Sequence, residues 1–292
     1  MSPKQVWRLL KEAFQEWNKD DASRLAAALA FYTIFSLAPL LILVIAIASL
    51  VFDQDTVRGQ IMAQMGTLIG DSGADALGTV LDNANRPGES SGWIASIVSV
   101  VLLLVGATGV LAQLQTSLNI VWNVTSRPDM GVLDFVRKRL LSLGMIVAIG
   151  FLLLVSLVAS SVISGLAGYL QGLMPGLDTL TQIANLVLSF IIITLLFALI
   201  YRFLPDVRIA WGDIWFGAAV TALLFSLGKY GIGLYLGNSS IGSAYGAAGS
   251  VIVLLVWIFY SAQIVFFGAE ITQVYARRYG SQIEPNQYAV KR

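Results

Sequence analysis

Histidine and cysteine are both absent from the 292 residues, and charged residues make up only 12%. Each absence excludes chemistry. Without His or Cys, zinc-finger, haem and iron–sulfur sites lose their usual ligands. Ser-His-Asp triads, Cys nucleophiles and His acid–base pairs are excluded too. Disulfides are impossible, so cysteine usage says nothing about redox compartment. A net charge of +1 gives no reason to expect nucleic acid as a partner. What the chain does have is apolar surface: 57% of its residues are apolar and its mean hydropathy is +0.78. Soluble domains average roughly 45–50% apolar and 25% charged. The expected class is therefore all-α and polytopic, a membrane protein with no metal, no cofactor and no catalytic residues to name.

A spanning helix needs about 20 mostly apolar residues. Six stretches qualify: 25–52, 93–112, 140–170, 183–203, 214–236 and 251–272. The first is too long for the apolar core of a cleavable signal, so it reads as an anchor. Basic residues set the orientation. Fifteen of the eighteen lie in the N-terminal arm, the loops after spans two and four, and the tail. The opposite side has Arg58 and Arg86, and Lys229 lies within a span. Both termini are expected to be cytoplasmic. Trp93, Trp122, Trp211 and Trp215 fall at span ends, where amphipathic rings favour the headgroup level. Trp257 lies inside span six and reads as packing.

Three regions are expected: an amphipathic helix over 1–24, a six-helix membrane domain over 25–276, and a cytoplasmic tail over 277–292. Val6, Leu9, Leu10, Ala13, Phe14 and Trp17 recur at helical spacing. That helix either lies on the inner leaflet through Trp7 and Trp17 or docks beneath the spans. The 40-residue outer loop, 53–92, predicts a small helical cap. Its first helix would use Val57, Ile61, Met62, Met65 and Leu68, and its second Ala76, Leu77, Val80 and Leu81.

Polar groups inside spans mark candidate sites. Lys229 stands about 15 residues into span five, near mid-membrane, either in a pathway or snorkelling. Glu270 is the only acid in span six, and Arg24 and Arg202 lie at matching depth as inner-interface ion-pair partners. Seven glycines fall between Gly228 and Gly249, where chain average predicts about two. Gly233 and Gly237, like Gly242 and Gly246, have the G-x-x-x-G spacing of close helix packing. The same density suits broken backbone lining a cavity. Ser243, Tyr245, Gly246, Gly249 and Ser250 join the pathway candidates from this run, and Tyr260 and Gln263 join from span six. Span one adds Tyr32, Ser36 and Pro39, with a kink expected at the proline.

Three ordered blocks carry a family resemblance. They are RLAAALAFYTIFSLAPLL from Arg24, Leu204-Pro205-Asp206 followed by TALLFSLGKYGIGLYL, and SAYGAAGSVIVLLVWIFYSAQIVFFGAEITQVYA from Ser243. The chain resembles the YihY/BrkB family of bacterial inner-membrane proteins over residues of about 1 to 280. The resemblance implies a six-span inner-membrane protein. Members have carried the label ribonuclease BN, which a chain without His, clustered carboxylates or a large basic surface does not support. The expected function is transport, or handling of a lipid or small anion, along a pathway of spans one, five and six. The alternative is a non-transporting scaffold that docks an envelope partner. The bilayer itself is the first expected partner.

Overall fold

The computed structural model describes residues 2–50, 52–69, 93–127, 178–238, 249–280 and 283–292, with isolated positions between 78 and 152. Helix α1 (Pro3–Lys19) starts where the pattern placed it, because its first turn is capped on both sides. The Ser2 hydroxyl accepts from the Gln5 N–H, and the Gln5 side chain accepts from the Ser2 N–H. That reciprocal pair satisfies donors a helix start would leave open. At its other end Asp21 turns the chain in the left-handed region (φ 53°). This is a conformation that Asp tolerates better than most residues.

Helix α2 (Ala22–Ala48) follows at once. It bends by 51° between Ala22–Leu37 and Pro39–Ala46, as a mid-helix proline without an N–H requires. Helix α3 (Gln54–Ile69) caps the far end, where Val57 and Leu81 pack on Leu41, Ile45 and Leu254. Helix α4 (Trp93–Val121) returns along α2. After it come α5 (Asp178–Phe203), α6 (Trp211–Asn238) and α7 (Gly249–Tyr279). Helix α6 packs between α5 and α7, and α7 also packs on α2 and α1.

Among the described residues, three helical stretches are long and apolar enough to cross a membrane: Gln182–Phe203, Trp211–Ile232 and Val251–Tyr279. The bent α2 makes a fourth when its two arms count as one span. The expected third span, 140–170, lies largely outside the described residues.

Four short strands gather at one end. β1 (Val124–Ser126) pairs with β4 (Ala289–Lys291), and β2 (Val207–Arg208) pairs with β3 (Glu284–Pro285), both antiparallel. The chain's last residues are thereby laced to the segments that follow α4 and α5. The Arg292 N–H donates to the Asn123 carbonyl (2.9 Å), and the Arg127 N–H donates to Tyr288 (3.0 Å). The main core lies just above, around Leu118, Trp122, Phe197, Tyr201, Ile214 and Phe266. Trp122 is 2% exposed. Its ring is a core side chain just past the end of α4. Trp211 and Trp215 do face outward, stacked on one another.

Helix α1 docks. Leu9 and Ala13 bury against Ile271 and Val274 of α7, and Trp17 packs against the main core. Fully burying a leucine is worth about 1.5–3 kcal/mol. Trp17 is therefore not a lipid anchor, while Trp7 remains exposed.

Candidate functional site

Lys229 lies on α6, eighteen residues beyond Trp211. At 1.5 Å per residue that is about 27 Å along the axis. The side chain is exposed, and the helix runs on for nine residues to Asn238. Lys229 stands level with the middle of α7, beside residues 257–264. It lines a narrow cleft between α6 and α7 with Phe225, Ile232, Trp257, Tyr260, Ser261 and Ile264. Trp257 meets Phe225 edge-on, with centroids 6.2 Å apart, so its packing role stands. Gly228 explains why the cleft closes beside the lysine. A Cβ there would fall 2.7 Å from the Tyr260 hydroxyl and 2.8 Å from Ile264 Cδ1. Lys229 makes no ion pair among the described residues.

Of the candidates, Lys229 and Tyr260 are brought together. Others are not. Ser36 is buried against α4, where a Cβ on Gly109 would come 3.0 Å from its hydroxyl oxygen. Pro39 presses on Gly106 of the same helix, 2.9 Å from where a Cβ would sit. Both serve the α2–α4 contact. The kink leaves its apolar ring facing a glycine. Tyr32 is exposed and meets Phe31 edge-on. Gln263 donates to the Ser23 hydroxyl (3.2 Å), tying α7 to the start of α2. Ser243, Tyr245 and Gly246 lie outside the described residues. Gly249 and Ser250 open α7.

The ion pair expected for Glu270 is also corrected. Arg24 pairs with Asp21 at 3.4 Å, and the Arg202 guanidinium lies over the Trp211 ring, 5.7 Å from its centroid. Glu270 is completely buried, and neither carboxylate oxygen has a hydrogen-bond partner. The ion pairs at this end belong to α1. Arg277 reaches Glu12 and, at 3.2 Å, Glu16, and Arg278 reaches Glu12. Lys19 holds Glu16 at 2.9 Å. The Lys19 ammonium, reinforced by Arg277, holds the Glu16 carboxyl below its usual range against the opposing effect of burial.

Two arrangements escaped the sequence reading. The first is an interlock of α6 and α7. A Cβ on Gly217 would collide with Thr272, and one on Gly268 would collide with Thr221. Each threonine in turn donates to the glycine carbonyl one turn back in its own helix, both at 2.7 Å. The Tyr201 hydroxyl of α5 closes the cluster, donating to the Val265 carbonyl (2.8 Å) and meeting the Thr221 hydroxyl at 3.0 Å. Gly217-x-x-x-Thr221 and Gly268-x-x-x-Thr272 are small-residue spacings that a search for paired glycines passes over.

The second is Asp206 of the Leu204-Pro205-Asp206 block. Its carboxylate accepts from Asn119 (2.9 Å), Gln115 (3.4 Å) and Asn286 (3.4 Å). Its N–H donates to the side-chain amide oxygen of Asn119, Oδ1 (2.8 Å). One buried residue thus joins α4, the turn after α5 and the C-terminal segment.

These features run through the stretch matched by one family model, virulence factor BrkB, over residues 13–291. The chain belongs to the virulence factor BrkB family. Among similar proteins is a UPF0761 membrane protein of Chromohalobacter salexigens, 29% identical over 269 residues, covering 91% of this chain and 62% of that protein. A UPF0761 membrane protein of Ralstonia nicotianae is 27% identical, covering 90% and 57%, and one of Pseudomonas aeruginosa is 29% identical, covering 86% and 58%. The chain spans about three-fifths of the length of these relatives. No solved structure matches it. It is an integral membrane protein of the BrkB family.

Proposed function

We propose that this BrkB-family chain is a six-span protein of the bacterial inner membrane that binds and moves an anionic lipid or a small organic anion. It has no enzymatic role in this reading, and both termini face the cytoplasm. The alternation of the described helices supports six spans. Helix α4 ends at the strand-bearing end and α5 also ends there, so α5 begins at the opposite end. An odd number of crossings between α4 and α5 fits that arrangement. The sorting of basic residues supports the orientation.

The observation that carries the reading is Lys229. An exposed ammonium without an ion-pair partner among the described residues stands within an apolar helix, beside Tyr260 and Trp257. An exposed ammonium bordered by aromatic rings suits a lipid phosphate or a small organic anion. Hydrogen bonds to charged groups are worth about 1.5–3 kcal/mol. Lys229→Met should therefore weaken the site by roughly ten-fold or more, since about 1.4 kcal/mol is one decade. The test is reconstitution in phosphatidylethanolamine vesicles doped with spin-labelled phosphatidylglycerol. The fraction of motionally restricted label and its rate of passage between leaflets are measured. Both should fall in a folded Lys229→Met protein. Equal values in the two proteins would overturn the assignment.

A further inference from the structure

Glu270 lies on α7 six residues beyond Ile264 of the lysine cleft, about 9 Å further along the axis towards the C-terminal end of the helix. Its carboxyl group is fully buried with both oxygens unpartnered. Among the described residues, the charges that act on it are Asp20, Glu16 and Lys19 of the α1 segment and Arg277 of its own helix. None comes from α2 or α6. Both cations are already committed to other groups. Lys19 is bonded to Glu16, and Arg277 to Glu12 and Glu16. Asp20 and Glu16 carry the same sign as an ionised Glu270. A buried carboxylate in this position would be uncompensated, which proteins rarely sustain.

The surroundings are built from acceptors. Gln273, one turn further along α7, is 3% exposed and its carbonyl oxygen has no partner. Residues three apart on a helix are neighbours. One Asp20 oxygen is likewise buried without a partner, and burial raises that carboxyl above its ordinary range. Free acceptors call for a cation or a proton. Among the described residues no three carboxylates come together to hold a metal ion. A carboxylic O–H on Glu270 gives the amide oxygen a donor and removes the charge.

Helix α1 closes this place off. Leu9 and Ala13 cover Ile271 and Val274, one residue and one turn further along α7. Glu12 and Glu16 latch onto Arg277 and Arg278. The Asp20–Asp21 corner, with Asp21 in the left-handed region, is the joint on which α1 meets α2.

We propose that Glu270 is a proton-exchanging carboxyl sealed beneath α1, reached from the strand-bearing side when α1 lifts from α7. On release the Glu270 O–H bond breaks and water takes the proton as hydronium, leaving the carboxylate. Rebinding reverses this. The site stands independently of the Lys229 reading, which rests on a different set of residues.

The test is infrared difference spectroscopy on the purified full chain in phosphatidylethanolamine–phosphatidylglycerol vesicles at neutral pH. The native protein should show the C=O stretch of a protonated carboxyl. Carbon-13 labelling of glutamate should move that band without any substitution, and Glu270→Gln should abolish it. The band should shift slowly when water is replaced by D2O. Breaking the latch with Glu12→Gln and Glu16→Gln together should make that shift several-fold faster, since each exposed ion pair contributes little. No glutamate-derived band, a band lost in Asp20→Asn but not in Glu270→Gln, or an exchange rate indifferent to the latch would each overturn the proposal.

Discussion

Replacing Gly217 with alanine tests the α6–α7 interlock directly. The added methyl would lie 2.7 Å from Thr272 Cβ and 3.1 Å from Thr272 Cα, and closer still to the hydroxyl. Turning the threonine side chain relieves the hydroxyl contact but not the other two, so the helices must separate. Overpacking of this kind costs typically 1–3 kcal/mol. Helix propensity works the other way, by about 1 kcal/mol for Gly→Ala. Gly231→Ala is the control, because a Cβ there meets nothing within 4 Å. The difference between the two variants isolates the packing cost, expected at about 1–3 kcal/mol.

The partner change is Thr272→Gly. Its hydroxyl bonds only the Gly268 carbonyl of its own helix, so removing it leaves no donor stranded. The Gly217→Ala, Thr272→Gly double variant moves one methyl-sized volume across the interface. It should recover part of the loss, with a coupling of about 0.5–3 kcal/mol. Recovery stays partial because the Thr272 Cα remains 3.1 Å away. Unfolding in mixed detergent micelles, followed by circular dichroism at one fixed scan rate, ranks the four proteins. If Gly217→Ala is as stable as Gly231→Ala, the close crossing is wrong and so is the reasoning built on it.

Asp206→Ala removes the acceptor for the Asn119 amide, a buried donor, and should cost about 1–3 kcal/mol. It should also raise amide exchange in residues 283–292, and unchanged protection there would refute its role as a junction. The docking of α1 should depend on pH with a definite sign. Glu16 titrates below its ordinary 4.5 because Lys19 and Arg277 favour its charged form. Its contribution is therefore full above about pH 4.5 and is lost as pH falls through the depressed value. Asp20 runs the opposite way, since its burial cost grows as pH rises above its ordinary 3.8. Hydrogen exchange across α1 below pH 4.5 should rise in the native protein and change less with pH in Glu16→Gln. Identical pH dependence would exclude Glu16 as the cause.

What the sequence disclosed was depth, and what it concealed was azimuth. In water an amphipathic helix shows its buried face through polar residues on the other, which is why Leu9 and Ala13 of α1 were legible as an apolar stripe, though not whether lipid or α7 would cover it. In lipid both faces are apolar, so hydropathy sets where a residue sits along the bilayer normal but not which neighbour it meets. Arg24, Arg202 and Glu270 were matched on depth alone, and the helices turn them to Asp21, Trp211 and a sealed interior. Pro39 announced its kink by chemistry, but that the ring would rest on Gly106 was a matter of rotation about the axis. Azimuth becomes readable only where close contact constrains residue size. Gly217, Thr221, Gly268 and Thr272 carry that signal at four-residue spacing, and allowing threonine beside glycine would have exposed it. Polar residues with a required partner carry it too. Asp206 needed donors, and Gln115, Asn119 and Asn286 were the amides available at the same end of the fold. Glu270 is the case where that demand goes unmet by any side chain, and a buried acid with no donor is satisfied most simply by a proton of its own.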